Sequence, residues 1–298
     1  MLTEVQRTRA EEVFLEYGPT PRLCIDFLEY PFQLDDYRDE LRRAISNLTL
    51  DSLLSAVRMS ENLNMNLSHS IFLVQRKDVN KLHGYTIEPI SLSVKRLLKK
   101  QLMKVEQKER LRTYLLLARV QGSRIMTSIV FESLAQLQLQ EEVSLNLVPM
   151  VEVPAPRKGN AKWESQPSSR ADTANPPFLT QFKPMNTVEY DKSELSRFNP
   201  GVFYVPMSNQ VAFDSFMLVD QVLYIFQFSI SASHEITEDI MKFLSQPTLE
   251  EKLQGAEWRF VFVIPPGSTI VCSESNVAKL KGFWDRAGLF TAEIDVHK

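Results

Sequence analysis

The stretch from Val211 to His234, VAFDSFMLVDQVLYIFQFSISASH, constrains the fold more than any other part of this sequence. Residues 211–218 are rich in aromatic and apolar side chains, Val219-Asp220-Gln221 supplies turn chemistry, and 222–230 runs almost unbroken in apolar, β-prone residues. Two strands joined by a tight turn are expected. The unbroken second run predicts a strand covered on both faces, so a central one. Two larger polar side chains interrupt the pair, Asp214 in the first strand and Gln227 in the second. Burying a carboxylate or an amide is costly unless something satisfies it, so these residues mark the first place to look for chemistry.

The chain of 298 residues has room for one large domain or two modest ones. Its net charge of -3 gives no overall affinity for polyanions, so a nucleic-acid contact needs a local basic patch. Cys24 and Cys272, the only cysteines, make no disulfide framework and point to a reducing compartment. With 9 glycines the sequence contains neither G-x-x-x-x-G-K-[ST] nor G-x-G-x-x-G, so no complete phosphate loop is present. The first residues, MLTEVQRTRAEE, lack the apolar core of a signal peptide, and no stretch reaches the roughly 18 apolar residues of a membrane span. The expectation is an intracellular protein, nuclear or cytoplasmic, without a membrane partner.

Residues 1–121 read as mainly helical. A helix over 2–16 is broken by Gly18-Pro19-Thr20-Pro21, most simply a helix-to-helix connection. Residues 35–54 have helical spacing, and 70–76 and 84–90 look like short strands. Ser91 to about Val120 predicts one long helix with a basic face: Lys95, Arg96, Lys99, Lys100, Lys104, Lys108 and Arg112 among its cations. A solvated lysine face is the commoner reading. A phosphate-backbone contact surface is the sharper one, because this is the one concentrated basic stretch.

A second domain over 122–298 begins with a helix, 123–140, whose apolar stripe is Met126, Val130, Leu134 and Leu137 and which carries Glu132 beside it. Residues 143–151 alternate as a strand should, at least at first. Residues 153–179, rich in Pro, Ser, Asn and charge, are expected to be a flexible insertion that folding does not need. A strand at 202–205, the central pair, a helix over 236–244, a strong strand at 257–264 and a final edge strand at 290–296 complete a mixed α/β sheet domain.

Glu132, Asp214 and Gln227 are the candidate oxygen ligands. Oxygens converging from a helix and two adjacent strands suit Mg²⁺ or Mn²⁺, which activates water and stabilises charge in phosphodiester cleavage. By residue type and spacing alone the plainer readings outweigh this: Asp214 as a strand cap, Gln227 as a satisfied core amide, Glu132 as a solvent-facing carboxylate. His234, close after Gln227, offers an acid or base, though a lone histidine after a strand is more often structural.

FYVP, FDSF, LYIFQFSISASH and EWRFVFVIPPG together resemble the C-terminal nuclease-like domain of Crinkler and retrotransposon-hot-spot proteins. IVFESLAQLQL around Glu132 is similar to that family's opening helix, and FLEYGPTPRLCIDF looks like the tail of its ATPase module. The resemblance implies an α+β protein: a mainly helical N-terminal region ending an ATPase module, then a restriction-endonuclease-like α/β domain with a mixed central sheet. It implies a nucleic-acid-binding nuclease-like protein, with Glu132 as helix acid, Asp214 as strand acid and Gln227 where Asp or Glu is usual; DNA is favoured over RNA as the partner, and the sequence does not decide between them. The usual lysine two residues on is Ser229 here, which removes a charge that orients water and stabilises anions. Lys242 is the nearest later lysine that could stand in for it. Slow metal-dependent cleavage is one expectation. A catalytically inactive module, acting in protein interaction or as an effector, is the alternative, and a plain scaffold unrelated to the family is the third. No ATPase activity is expected from this chain alone.

Overall fold

The computed structural model describes residues 2–59, 70–76, 85–120, 123–153, 162–166, 176–190, 198–206, 212–273, 283 and 286–296. The protein is a mixed α+β structure of two compact units, 1–134 and 135–298. Their boundary falls inside a helix rather than at 121/122.

The first unit opens with α1 (Glu4–Tyr17), whose capping box is closed by Thr3 and Gln6. It ends at Gly18, where φ is +93° and a Cβ would lie 2.5 Å from the carbonyl oxygen of Ile90. Glycine is required here by both backbone and packing. Pro21 then begins α2 (Pro21–Glu29), and Tyr17, Phe27 and Tyr37 meet edge to face or tilted. The helical stretch at 35–54 divides into α3 (Gln33–Ser46) and α4 (Leu50–Met59). The Thr49 hydroxyl accepts from the Ser52 amide at 3.1 Å, and the Ser52 hydroxyl accepts from the Thr49 amide at 3.0 Å, so a local cap starts the second helix afresh after the first ends at Ser46. Strands β1 (Phe72–Arg76) and β2 (Tyr85–Pro89) pair antiparallel. The single long basic helix is corrected to two, α5 (Leu92–Met103) and α6 (Gln107–Leu117), because Glu106 leaves helical geometry at φ -55°, ψ 140°.

Helix α7 (Arg124–Gln140) crosses the unit boundary. The strands after it are β3 (Val143–Pro149), β4 (Val151–Val153), β5 (Lys162–Glu164), β6 (Phe178–Phe182), β7 (Asn186–Tyr190), β8 (Val202–Pro206), β9 (Ser215–Val219), β10 (Val222–Phe228) and β11 (Ser233–Glu235). Helices α8 (Asp239–Leu244) and α9 (Pro247–Lys252) follow, then β12 (Glu257–Ile264), β13 (Val271–Ser273) and β14 (Ala287–Glu293). An eight-stranded sheet has the order β6-β3-β14-β12-β10-β9-β8-β7. β10, β12 and β14 run parallel at its middle, and β9 is antiparallel to β10. A four-stranded sheet, β11-β13-β5-β4, stands apart from it.

The hairpin is built as its sequence suggests. Asp220 and Gln221 both hold positive φ, 49° and 63°, the type I′ pattern whose twist matches its strands. β10 is buried from Leu223 to Phe228, the central strand expected. β9 starts at Ser215, however, and Asp214 precedes it; Val211 lies outside the described residues. β14 is corrected from an edge strand to an interior one, held between β12 and β3. Two pieces of the expected flexible insertion are ordered in the sheets. β5 is hydrogen-bonded to β4 and β13, with Trp163 packed on the main core, and Phe178 and Leu179 open β6. The apolar surface of Trp163 supplies burial that the surrounding composition lacks. Residues 154–161 and 167–175 lie outside the described residues.

Candidate functional site

The alternation of β9 and β10 places Asp214, Phe216 and Leu218 on one face with Leu223, Ile225 and Gln227. That face carries the main core, covered by Ile240, Phe243 and Leu244 of α8 and by Leu249 and Leu253 around α9. Asp214 and Gln227 stand at its end, where the parallel strands reach their C-termini. Crevices at that end are where open α/β sheets commonly hold ligands.

The two side chains touch. Gln227 donates from Nε2 to Asp214 Oδ2 at 2.7 Å, and the Phe228 amide donates to the same oxygen at 2.8 Å. Asp214 also joins the ladder, its amide donating to the Phe226 carbonyl at 2.9 Å. The carboxylate is therefore fixed from β10 by two donors. Gln227 is 9% exposed, yet its Oε1 has no hydrogen-bond partner. An orphaned buried acceptor costs about 1–3 kcal/mol, which makes Oε1 the least satisfied polar atom of the pair.

Ser229 extends β10, its amide donating to Val263 at 2.9 Å, while its buried hydroxyl accepts from the Ser231 amide at 3.0 Å. It supplies no charge. Phe262 is the register partner of Gln227 on β12, and the His234 ring lies 5.7 Å from it. His234 Nδ1 donates to the Glu235 carbonyl at 2.9 Å, which leaves Nε2 as its basic nitrogen. Asp214, Gln227 and Ser229 thus share one end of one sheet face, while His234, on β11 of the four-stranded sheet, approaches it through its ring contact with Phe262. Lys242 does not join them: its ammonium donates to Asp239 at 2.7 Å on the exposed side of α8. Phe262, the platform between Gln227 and His234, has no signal in the sequence beyond its place in EWRFVFVI.

Glu132 belongs to the first unit, and its partners there are cations. Lys95 donates to Oε1 at 2.8 Å, Lys99 lies 3.8 Å from Oε2, and Ser128 donates to Oε1 at 3.2 Å. Burial alone would push this carboxyl up; the two ammonium groups and the hydrogen bonds from Lys95 and Ser128 outweigh it and hold it below the usual carboxylate range. Lys95 and Lys99 are accordingly turned onto Glu132, not outward. Lys104, Lys108 and Arg112 are exposed, and Lys100 is exposed on α5 beside half-buried Arg96. Arg110, in the middle of the basic run, is buried, and its Nε and Nη1 have no hydrogen-bond partner. Desolvation pulls its pKa down.

Among the described residues, no group of three His, Cys, Asp or Glu side chains could hold a metal ion, and no helix is long and apolar enough to cross a membrane. No family model, no curated protein and no solved structure matches this chain.

Proposed function

We propose that this chain is a nucleic-acid-binding, nuclease-like protein whose cation site is reduced to Asp214 and Gln227 and whose cleavage is slow. The observation that carries the reading is the Asp214–Gln227 pair at the C-terminal end of β10, with Gln227 Oε1 buried and unsatisfied beside a fixed carboxylate. The order of elements also supports it: helix α7, then a carboxylate before β9, then an oxygen ligand on β10, as a restriction-endonuclease-like domain requires.

The pair fits a hard cation. With the Gln227 amide turned over, Oε1 and an Asp214 oxygen present two protein ligands, and Mg²⁺ or Mn²⁺ accepts such a site by keeping several waters. Bound there, the ion would supply Lewis acidity and a more acidic water. The Phe228 amide orients Asp214, and His234 Nε2 can take a proton. Ser229 leaves the developing negative charge without a cation of the protein's own. This incomplete set also favours the second reading, an inactive nuclease-fold module acting in protein interaction.

The test is Mn²⁺ binding followed by electron paramagnetic resonance, alongside cleavage of labelled DNA and RNA. Binding weak in the wild type and lost in Asp214→Asn is expected, with cleavage that Ser229→Lys raises. Cleavage that persists in Asp214→Asn would place the active site elsewhere. No Mn²⁺ binding and no cleavage, before and after Ser229→Lys, would leave the interaction module.

A further inference from the structure

The outward side of α6 forms a shallow groove of about 320 Å³ lined by Lys108, Leu111, Arg112, Leu115, Leu116 and Arg119. The steps of three and four residues put these on one stripe of helix, roughly 16 Å long at 1.5 Å per residue. Leu115 is 36% exposed, and Leu111 and Leu116 are partly so. Lys108, Arg112 and Arg119 are exposed, and among the described residues none makes an ion pair. The surface is thus a leucine floor between unsatisfied cations.

The same unit carries its complement on α1. Val13 and Tyr17 are that helix's buried side. Phe14 and Leu15 face outward at 48% and 57% exposure, with Glu11 and Glu12 exposed one turn before them. Neither glutamate makes an ion pair among the described residues. Two exposed apolar side chains beside two carboxylates match, in kind and spacing, leucines set between arginines and a lysine.

We propose that the α6 groove of one copy receives the α1 helix of a second copy of this chain. Phe14 and Leu15 cover Leu111, Leu115 and Leu116, while Glu11 and Glu12 meet Lys108, Arg112 and Arg119. Donor and acceptor surfaces differ, so the contact either closes reciprocally as a two-fold dimer or adds copies head to tail. The surface is small, so association is weak and concentration-dependent, and salt screens its charged rim. Nucleic acid is the poorer occupant: a phosphate backbone makes no use of three leucines between the cations.

Sedimentation velocity on the full chain over a concentration series tests this. The weight-average mass should rise with concentration at about 0.05 M salt and fall back at about 0.5 M. Arg112→Glu and Glu12→Arg should each shift association to at least ~10-fold higher concentration, a shift of about 1.4 kcal/mol. An equimolar mixture of the two variants should recover pairing, because one retains its α1 and the other its groove. Both positions are exposed, and circular dichroism on each variant is the check that it folds. A monomer at every concentration, association untouched by both substitutions, or no recovery on mixing would overturn the proposal. So would a monomeric chain whose binding to a labelled duplex is lost in Arg112→Glu, which would give the groove to nucleic acid.

Discussion

Glu132 shows how far a single residue can depart from its role by type. A carboxylate on the helix before a sheet reads as a metal ligand or as a solvent-facing charge; the folded chain makes it a buried anion held by Lys95 and Lys99. Its pKa is depressed on folding, so its contribution to stability is fully present above the unfolded carboxylate value of about 4.3 and is lost as pH falls through the folded value. Urea midpoints measured from pH 7 down to pH 3 should therefore fall more steeply for the wild type than for Glu132→Gln. Lys95→Met should cost about 2–3 kcal/mol at pH 7, below the full penalty for a broken buried pair because Lys95 is 30% exposed. A variant as stable as the wild type would show that Lys99 alone suffices.

At the scale of elements, breaks and caps mattered more than periodicity. GPTPR was legible as a breaker, since proline after glycine cannot continue a helix. What the sequence could not reveal is that Gly18 sits against the Ile90 carbonyl, 72 residues away along the chain. Gly18→Ala should cost about 2–4 kcal/mol from strained backbone and displaced Ile90 together, read as a lower urea midpoint with unchanged m-value. A loss under about 1 kcal/mol would mean that the α1–α2 corner relaxes freely. The basic run at 91–120 kept helical spacing throughout, yet the chain divides it, because Glu106 turns extended between α5 and α6. Spacing records what a helix would bury, not whether one axis satisfies both halves.

Across the whole molecule, charge is divided unequally. The first unit has 20 Lys and Arg against 17 Asp and Glu, and the second has 14 against 20. The unit that carries Asp214 and Gln227 is therefore acidic, so the proposed affinity for a polyanion is expected of the first unit, where Lys100 and Lys104 are exposed on and just after α5. Lys100→Ala with Lys104→Ala should lower the slope of log affinity against log salt by about 1–2, with little change in folding stability. An unchanged slope would remove α5 from the binding surface.

The hairpin was readable from the sequence because its information is local. A β-rich run, a two-residue turn and a second unbroken run specify their own pairing, and Asp214 and Gln227 fall together in that register. The helical character of the first half was legible for the same reason. Placement that depends on distant chain was decided only by tertiary structure. β14 became interior because β3 returns to pair with it, and Lys162–Glu164 became a strand because β4 and β13 offer it unpaired edges. Lys95 and Lys99 turned inward because Glu132 lies within reach. A side chain's type sets which partners it can accept; only the folded chain decides which of them arrives.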